Sequence, residues 1–494
     1  MASESNQLHF VMIPFMAPGH LIPMADMARL LAEHGVMVTV VTTPVNASRI
    51  KPIIDRATAK SCLQIQLVQL TLPLHEAGLP EGCESFELVP SRNLYRNFFS
   101  ALSKLQQPIE QLLKELTPSP NCIIADRHLS WTAEIAKKIR IPRVLFDGMS
   151  SFALLCTHNI RKSRVHESVP KSTPFVVPDM PHQVEFTIDQ LPGELHPSSE
   201  DVKDIHKKIT ESEEGAYGFV VNSFEELESG YIEGCKKEKG DRVWCIGPVS
   251  LFNKTELDKA QRGNNIAAID ENQCLKWLDS WPKNSVIYAC FGSLNRLLLP
   301  QLVELGLGLE SSNRPFIWVV RGNNTQELEK WIVESGFEQR TKSRGLLIYG
   351  WAPQVLILSH PSVGGFLTHC GWNSTLEGVT CGKPMITWPL FADQFYNEKL
   401  VVQVLRVGES VGVKSVVPLG KEEEFGVLVK RGDVKEAIDK VMDGGKEGEE
   451  RRERAKKLEE KAKKAIEEGG SSYLNMKLFI EDIRKLDICD LAML

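Results

Sequence analysis

Short apolar runs rich in β-branched residues alternate with stretches of helical periodicity through both halves of the chain. That alternation restricts the fold more than any other feature, because strands separated by helices build a parallel sheet covered on both faces. Residues 8–14 are an apolar run suited to a buried parallel strand, and Met16-Ala-Pro-Gly-His20 reads as the turn that follows. Leu21, Met24, Ala28 and Leu31 then recur at helical spacing, Gly35 stops the helix, and residues 36–43 form the next strand. Further strands are predicted at 122–126, 143–146 and 218–222. Beyond a polar stretch at 250–271 the pattern restarts, with strands at 285–291, 316–321, 346–349, 364–368 and 384–388. The reading is α/β, with two doubly wound Rossmann-like domains: 1–249, a linker at 250–271, and 272–472. Residues 161–200, rich in Pro and polar groups, are expected to be loops. Residues 446–468 mix both charge signs at helical spacing and predict a solvated helix.

A chain of 494 residues is long enough for two such cores. Its 42% hydrophobic and 25% charged residues exclude extended disorder, and a net charge of -6 gives no basis for binding nucleic acid. The eleven cysteines are scattered and form no CxxC pair, which fits thiols in a reducing compartment. No apolar run approaches the ~20 residues that span a bilayer, and the first residues lack a leader's charge and apolar core. A cytoplasmic monomer is therefore expected. Asn46-Ala-Ser and Asn253-Lys-Thr match the glycosylation pattern but need a secretory route.

The densest polar constellation runs from Trp351 to Gln394. Trp351 closes a strand where ligands of open α/β sheets bind, and a flat ring there can stack on a base. After the 364–368 strand, His369-Cys-Gly-Trp372 makes a turn and Asn373 is read as the N-cap of a helix to Thr380. Such a helix start offers unpaired N–H groups to a diphosphate, with His369 and Ser374 as added donors. Glu377, one turn on, can accept from two ribose hydroxyls. Asp393 and Gln394 stand at the next helix start and can grip vicinal sugar hydroxyls, and Ser293 ends a further strand within reach of phosphate. In the first half, His20 follows a strand and a Pro-Gly turn and opens a helix, which is expected to keep its imidazole neutral. Asp126 ends a neighbouring strand and can hold the imidazole's tautomer.

The run Trp351-Ala-Pro-Gln354, His369-Cys-Gly-Trp-Asn-Ser374, Glu377 and Asp393-Gln394 resembles the signature box of plant family-1 UDP-dependent glycosyltransferases. The resemblance extends over essentially the whole chain, and the first third is similar to members acting on triterpenoids, steroids and flavonoids. It implies a GT-B fold whose C-terminal helix, within residues 473–494, crosses back to the first domain. It also implies that Trp351 stacks on uracil, that Ala352 and Gln354 contact uracil or ribose, and that Glu377 holds ribose. Ser293, His369, Asn373 and Ser374, with Gly19, would surround the diphosphate, and Trp372, Asp393 and Gln394 the sugar. His20 is then the general base, assisted by Asp126, in an inverting transfer that gives a β-O-glucoside. No cofactor is implied, and neither an Asp-x-Asp motif nor a His/Cys cluster suggests a metal. Cys381, Lys383 and Met385 depart from the commonest residues of the box. Arg127-His128, directly after Asp126, is unusual and bears on the acceptor environment.

Glucose is the expected sugar, because in similar enzymes a His in place of Gln394 goes with galactose and an Arg in place of Trp372 with glucuronic acid. An amide at Gln394 can both donate and accept, with Asp393 accepting beside it. Met16, Phe152 and Phe391 are candidates for an apolar acceptor site, which favours a bulky triterpenoid or sterol-like aglycone or a flavonoid, carrying a hydroxyl or carboxyl. Two other classes share the fold. An oxidoreductase needs a glycine-rich loop between strand and helix, whereas Gly306-Leu-Gly308 lies inside a predicted helix at 300–312. A nucleotide-sugar epimerase would lack an apolar acceptor cleft and would carry a carboxylate pair in place of one histidine.

Overall fold

The computed structural model describes residues 7–193, 195–196, 203–263, 268–294, 296–322 and 325–486. Strands β1 (His9–Ile13), β2 (Met37–Thr42), β3 (Ile65–Gln69), β4 (Cys122–Asp126) and β5 (Arg143–Asp147) belong to the first sheet. A small antiparallel hairpin, β6 (Phe175–Val176) with β7 (Glu185–Phe186), interrupts the series before β8 (Gly218–Val221) and β9 (Val243–Cys245). The first sheet has seven strands in the order β3-β2-β1-β4-β5-β8-β9. The second is built from β10 (Val286–Cys290), β11 (Phe316–Val320), β12 (Gly345–Tyr349), β13 (Val363–Thr368), β14 (Met385–Thr387) and β15 (Gly408–Ser410), in the order β12-β11-β10-β13-β14-β15. Every pairing in both sheets is parallel. Strand order reverses between β1 and β4 in one sheet and between β10 and β13 in the other. Ligands of doubly wound sheets collect at the carboxyl ends beside such a reversal. Those four ends carry His20, Asp126, Phe291-Gly-Ser293 and His369.

Three strands, β3, β9 and β15, escape the sequence pattern. β3 is an edge strand with half-exposed side chains, and β9 and β15 have three residues each, too few to show a period. The 161–200 segment is less irregular than expected, since the helix Ser151–Ser163 reaches into it and the β6–β7 hairpin lies within it. The charged segment forms the helix Lys446–Ile466, but it is not solvated all round. Ala455, Leu458, Ala462 and Ala465 are buried on one face, which packs on the helices Trp372–Thr380 and Glu225–Lys239. Its high charge hides a narrow apolar stripe.

The helix Ser471–Arg484 returns to the first sheet. Its Phe479 is fully buried and meets the rings of Phe10 on β1 at 5.5 Å and Trp244 on β9 at 5.0 Å. One apolar core also crosses between the sheets, joining Phe152, Phe186 and Phe224 to Ile317, Phe366 and Tyr396. The polar 250–271 stretch includes most of a short turn at Val249–Phe252 and the helix Glu256–Gln261, which packs on the helices Pro44–Ser61 and Gln354–Ser359. Every described cysteine is free. The two glycosylation-pattern asparagines are buried and hydrogen-bonded, Asn46 to Thr43 and the Glu84 carbonyl, Asn253 to Asp26 and Arg29, so neither offers its amide to a glycan. Among the described residues no helix is long and apolar enough to cross a membrane.

Candidate active site

His20 stands in the first turn of the helix Pro18–Glu33, whose start is set by Pro18 at the first helical position. The turn predicted there is shorter than expected because the helix has already begun. Its Nδ1 lies 2.7 Å from Oδ2 of Asp126, which is fully buried at the end of β4. A carboxylate can only accept, so Nδ1 carries the proton and Nε2 keeps its lone pair. The other carboxylate oxygen, Oδ1, accepts from the backbone N–H of His128 at 3.0 Å and lies 2.9 Å from that residue's Nδ1. One buried carboxylate thus orients two imidazoles, whose rings meet edge to face at 5.0 Å. Burial opposes a charge on His20, but Asp126, then Asp147 and Asp393, outweigh it and raise its pKa above the ordinary 6.5. The helix terminus does not keep this imidazole as reluctant to ionise as the sequence suggests. The two histidines hold the Asp126 carboxyl well below the usual carboxylate range against the cost of burial.

The same helix meets the second domain. Pro23 has no N–H, so the carbonyl four residues back, that of Gly19, loses its helical partner. Asn373 fills the vacancy, its Nδ2 donating to Gly19 O at 2.6 Å. Asn373 is therefore not the N-cap of its helix. Gly371 is, and Asn373 is the second residue of the first turn, where its side chain spans the two domains. Trp372 makes a second crossing by donating its indole N–H to the Asn222 carbonyl at 2.8 Å.

Every residue named from the sequence for the donor lines one cleft of about 290 Å³ between the domains: Gly19, Ser293, Trp351, Ala352, Gln354, His369, Trp372, Asn373, Ser374, Glu377, Asp393 and Gln394. Gln354 donates to Oε2 of Glu377 at 2.7 Å and to Ser374 at 3.1 Å, which fixes the carboxylate. Burial lowers His369 to about 4, so it is neutral, and its Nδ1 has no partner among the described residues. Its ring is packed between Gly292 and Gly371, where an added Cβ would come within 2.6 and 2.4 Å of it. Those glycines are there to admit the imidazole. Burial pushes Asp393 up to about 6, and its Oδ2 accepts from Asn397 at 2.8 Å. Gln394 differs from expectation: its Oε1 already accepts the N–H groups of Leu390 at 2.8 Å and Phe391 at 3.1 Å. Both lone pairs are spent, so the side chain offers a sugar its NH₂ alone.

A second cavity, of about 300 Å³ and mainly apolar, opens on the other side of His20. Phe15, Phe86, Tyr95, Phe99 and Tyr396 line it, and His20, His128, Met149, Phe391 and Asp393 border both spaces. Among the described residues, His20, Asp126 and His128 are also the one group with ligand atoms spaced for a metal, which the sequence did not reveal.

Residues 6–251 match the family described as glycosyltransferase, N-terminal domain, and residues 268–416 that of UDP-glucoronosyl and UDP-glucosyl transferase. UDP-glycosyltransferase 73C6 of Arabidopsis thaliana is 53% identical, over 98% of this chain and 99% of its own. The chain belongs to the UDP-glycosyltransferase family. UDP-glycosyltransferase 73E1 of Stevia rebaudiana is 51% identical over 98% of each chain. The Glycyrrhiza uralensis enzyme UGT73P12, solved with glycyrrhetinic acid 3-O-monoglucuronide, superposes with a TM-score of 0.89 at 40% identity, covering 97% of this chain and 96% of that one. The transferase has the GT-B architecture, two Rossmann-like domains facing a cleft. In the oxidoreductase reading, Gly306 and Gly308 would cradle a dinucleotide. Here they lie inside the helix Leu299–Ser311 and pack on Trp318 and Val434.

Two acceptor candidates do not reach the transferase's cavity. Met16 is buried, and its sulfur accepts from Thr42 at 3.2 Å. Phe152 is buried in the shared core against Tyr231 at 4.9 Å. Phe15, one residue before Met16, and Met149, three before Phe152, do line it, because a shift of one to three residues turns a side chain from core to cavity. Phe391 lines both cavities as expected. The sequence missed His128 as a companion of Asp126, and Arg262, one of three basic residues within a stretch read as linker.

Proposed function

We propose that this chain is an inverting UDP-glucosyltransferase that forms a β-O-glucoside on a bulky apolar acceptor. The observation that carries this reading is the position of His20, on the wall shared by an apolar cavity and the cleft lined by the donor residues. An acceptor hydroxyl in the apolar cavity meets Nε2, which removes its proton as the oxygen attacks the anomeric carbon from the face opposite UDP. Asp126 stabilises the imidazolium that forms. The leaving diphosphate is received by the first-turn N–H groups of the 372–380 helix, with Ser293, Ser374 and neutral His369 as donors.

Uracil stacks on Trp351, Glu377 holds the ribose, and Asp393 with the Gln394 NH₂ grips the glucose. Glucose remains the favoured sugar, on Gln394 and Trp372 as read from the family resemblance. The reading needs no metal: both Asp126 oxygens are engaged by imidazole nitrogens at 2.7 and 2.9 Å, and the leaving charge is received by N–H and hydroxyl donors. The rings lining the acceptor cavity favour a large rigid aglycone, and the triterpenoid glucuronide held by the Glycyrrhiza structure tilts the choice toward triterpenoids over flavonoids.

The test offers UDP-glucose with a pentacyclic triterpenoid, a flavonol and a small phenolic acid in competition, with and without EDTA. The expected outcome is a triterpenoid or flavonol heavier by one hexose, at a rate unaffected by EDTA. Glycosylation of the small phenolic acid alone, or loss of activity in EDTA, contradicts the reading.

A further inference from the structure

The connector between the domains is pressed into the donor cleft. Arg262, at the end of the Glu256–Gln261 helix, is buried to within 8% and lines that cleft. Its Nε donates to Oδ2 of Asp26 at 2.7 Å, and its NH1 donates to Oε1 of Glu377. Asp26 lies in the 18–33 helix of the first domain and Glu377 in the 372–380 helix of the second. One guanidinium therefore bridges a buried carboxylate from each domain. Its fork geometry suits two such acceptors at once, which a lysine ammonium serves poorly. The Asp26 carboxylate is itself fixed, since its Oδ1 accepts from Asn253 at 2.9 Å, and Asn253 in turn accepts from Arg29 at 3.0 Å.

Gly263 continues the contact. Its φ is +82°, and an added Cβ would stand 2.4 Å from Ile22 of the first domain and 2.7 Å from the Trp351 ring of the second. Ala268, further along, donates its N–H to the Trp351 carbonyl at 3.0 Å. The connector thus touches both Trp351 and Glu377, the groups assigned to the base and the ribose.

We propose that this connector is a working part of the donor site: Arg262 is a positioning residue that holds Glu377 in place for the ribose and clasps the domains together around the nucleoside. The proposal rests on the reading of Glu377 as the ribose group. With Arg262 on Oε1 and Gln354 on Oε2, each carboxylate oxygen is oriented yet retains acceptor capacity for a hydroxyl. Removing the clasp leaves Glu377 charged, buried and free to turn, which weakens donor binding without touching the reacting atoms.

The experiment measures steady-state constants for both substrates in Arg262→Met, Arg262→Lys and Asp26→Asn, with Glu377→Ala as the reference. Arg262→Met should raise the KM for UDP-glucose by about 10-fold or more, the loss expected for a charge-assisted bond, with kcat and the acceptor KM within about 3-fold. Arg262→Lys should fall between it and the wild type. Asp26→Asn should shift the same constant in the same direction although Asp26 does not line the cleft, and it serves if Arg262→Met does not fold. An unchanged or lowered donor KM in Arg262→Met and Asp26→Asn, or an equal rise in the acceptor KM, overturns the proposal. If Glu377→Ala itself leaves donor binding intact, the reading of the ribose site has failed instead.

Discussion

Asp126 carries two imidazoles, and the charge it places beside His20, the proposed base, governs how that imidazole titrates. A base whose pKa is raised is neutral above that pKa and lost as pH falls through it. The acid limb of kcat/KM should therefore lie above 6.5, since Asp126, Asp147 and Asp393 raise His20 against its burial. In Asp126→Asn the main raising charge is gone. The limb should move to lower pH, while the plateau falls because the imidazolium loses its partner. A pH–rate profile of the variant checks both. A limb that stays in place separates the observed titration from His20. At this scale the sequence told much: His20, Asp126, Ser293, Trp351 and His369 stand at or after strand ends on one rim, and the family resemblance supplied the roles of the Trp351–Gln394 run. What it could not tell was how each side chain is already engaged. Gln394 spends its oxygen on two backbone amides and Asn373 reaches Gly19, and neither follows from residue type.

The elements were legible where their period is long and one-sided, as in the helices and the buried central strands. The three-residue strands β9 and β15 were not legible, and in the 446–466 helix, which the sequence predicted, charge masked the buried stripe. Acceptor residues suffered most, because which face of a loop or helix meets a cavity depends on one residue of register. Phe152 opens the 151–163 helix and turns into the core, while Phe391 sits in the loop before the 394–399 helix and turns to the cleft. The two rings should then respond oppositely to truncation. Phe152→Ala should destabilise the fold by about 3–5 kcal/mol through the cavity it leaves, with the acceptor KM nearly unchanged in the folded fraction. Phe391→Ala should raise the acceptor KM while denaturant unfolding shifts little. Equal effects of the two on the acceptor KM would return Phe152 to the site.

On the scale of the whole molecule, two doubly wound sheets present their reversal points to each other, and several bonds cross between them at the site itself. Asn373 with Gly19, Trp372 with Asn222, and Ser150 with Asn397 at 2.9 Å all join residues of different domains. The Ser471–Arg484 helix and the shared apolar core add contacts away from the cleft. The site is therefore a property of the assembled pair: the proposed base comes from one domain and most of the groups assigned to the nucleotide from the other. This division makes the central claim separable. Replacing His20 by Ala removes a group of the first domain and leaves the nucleotide groups of the second in place. Single-turnover rates with UDP-glucose, set beside calorimetric titration of UDP, measure the two parts independently. The account predicts that transfer falls by about 100- to 10,000-fold while UDP affinity stays within a few-fold of wild type. Transfer at nearly the wild-type rate, or a loss of UDP affinity as large as the loss of rate, would contradict it.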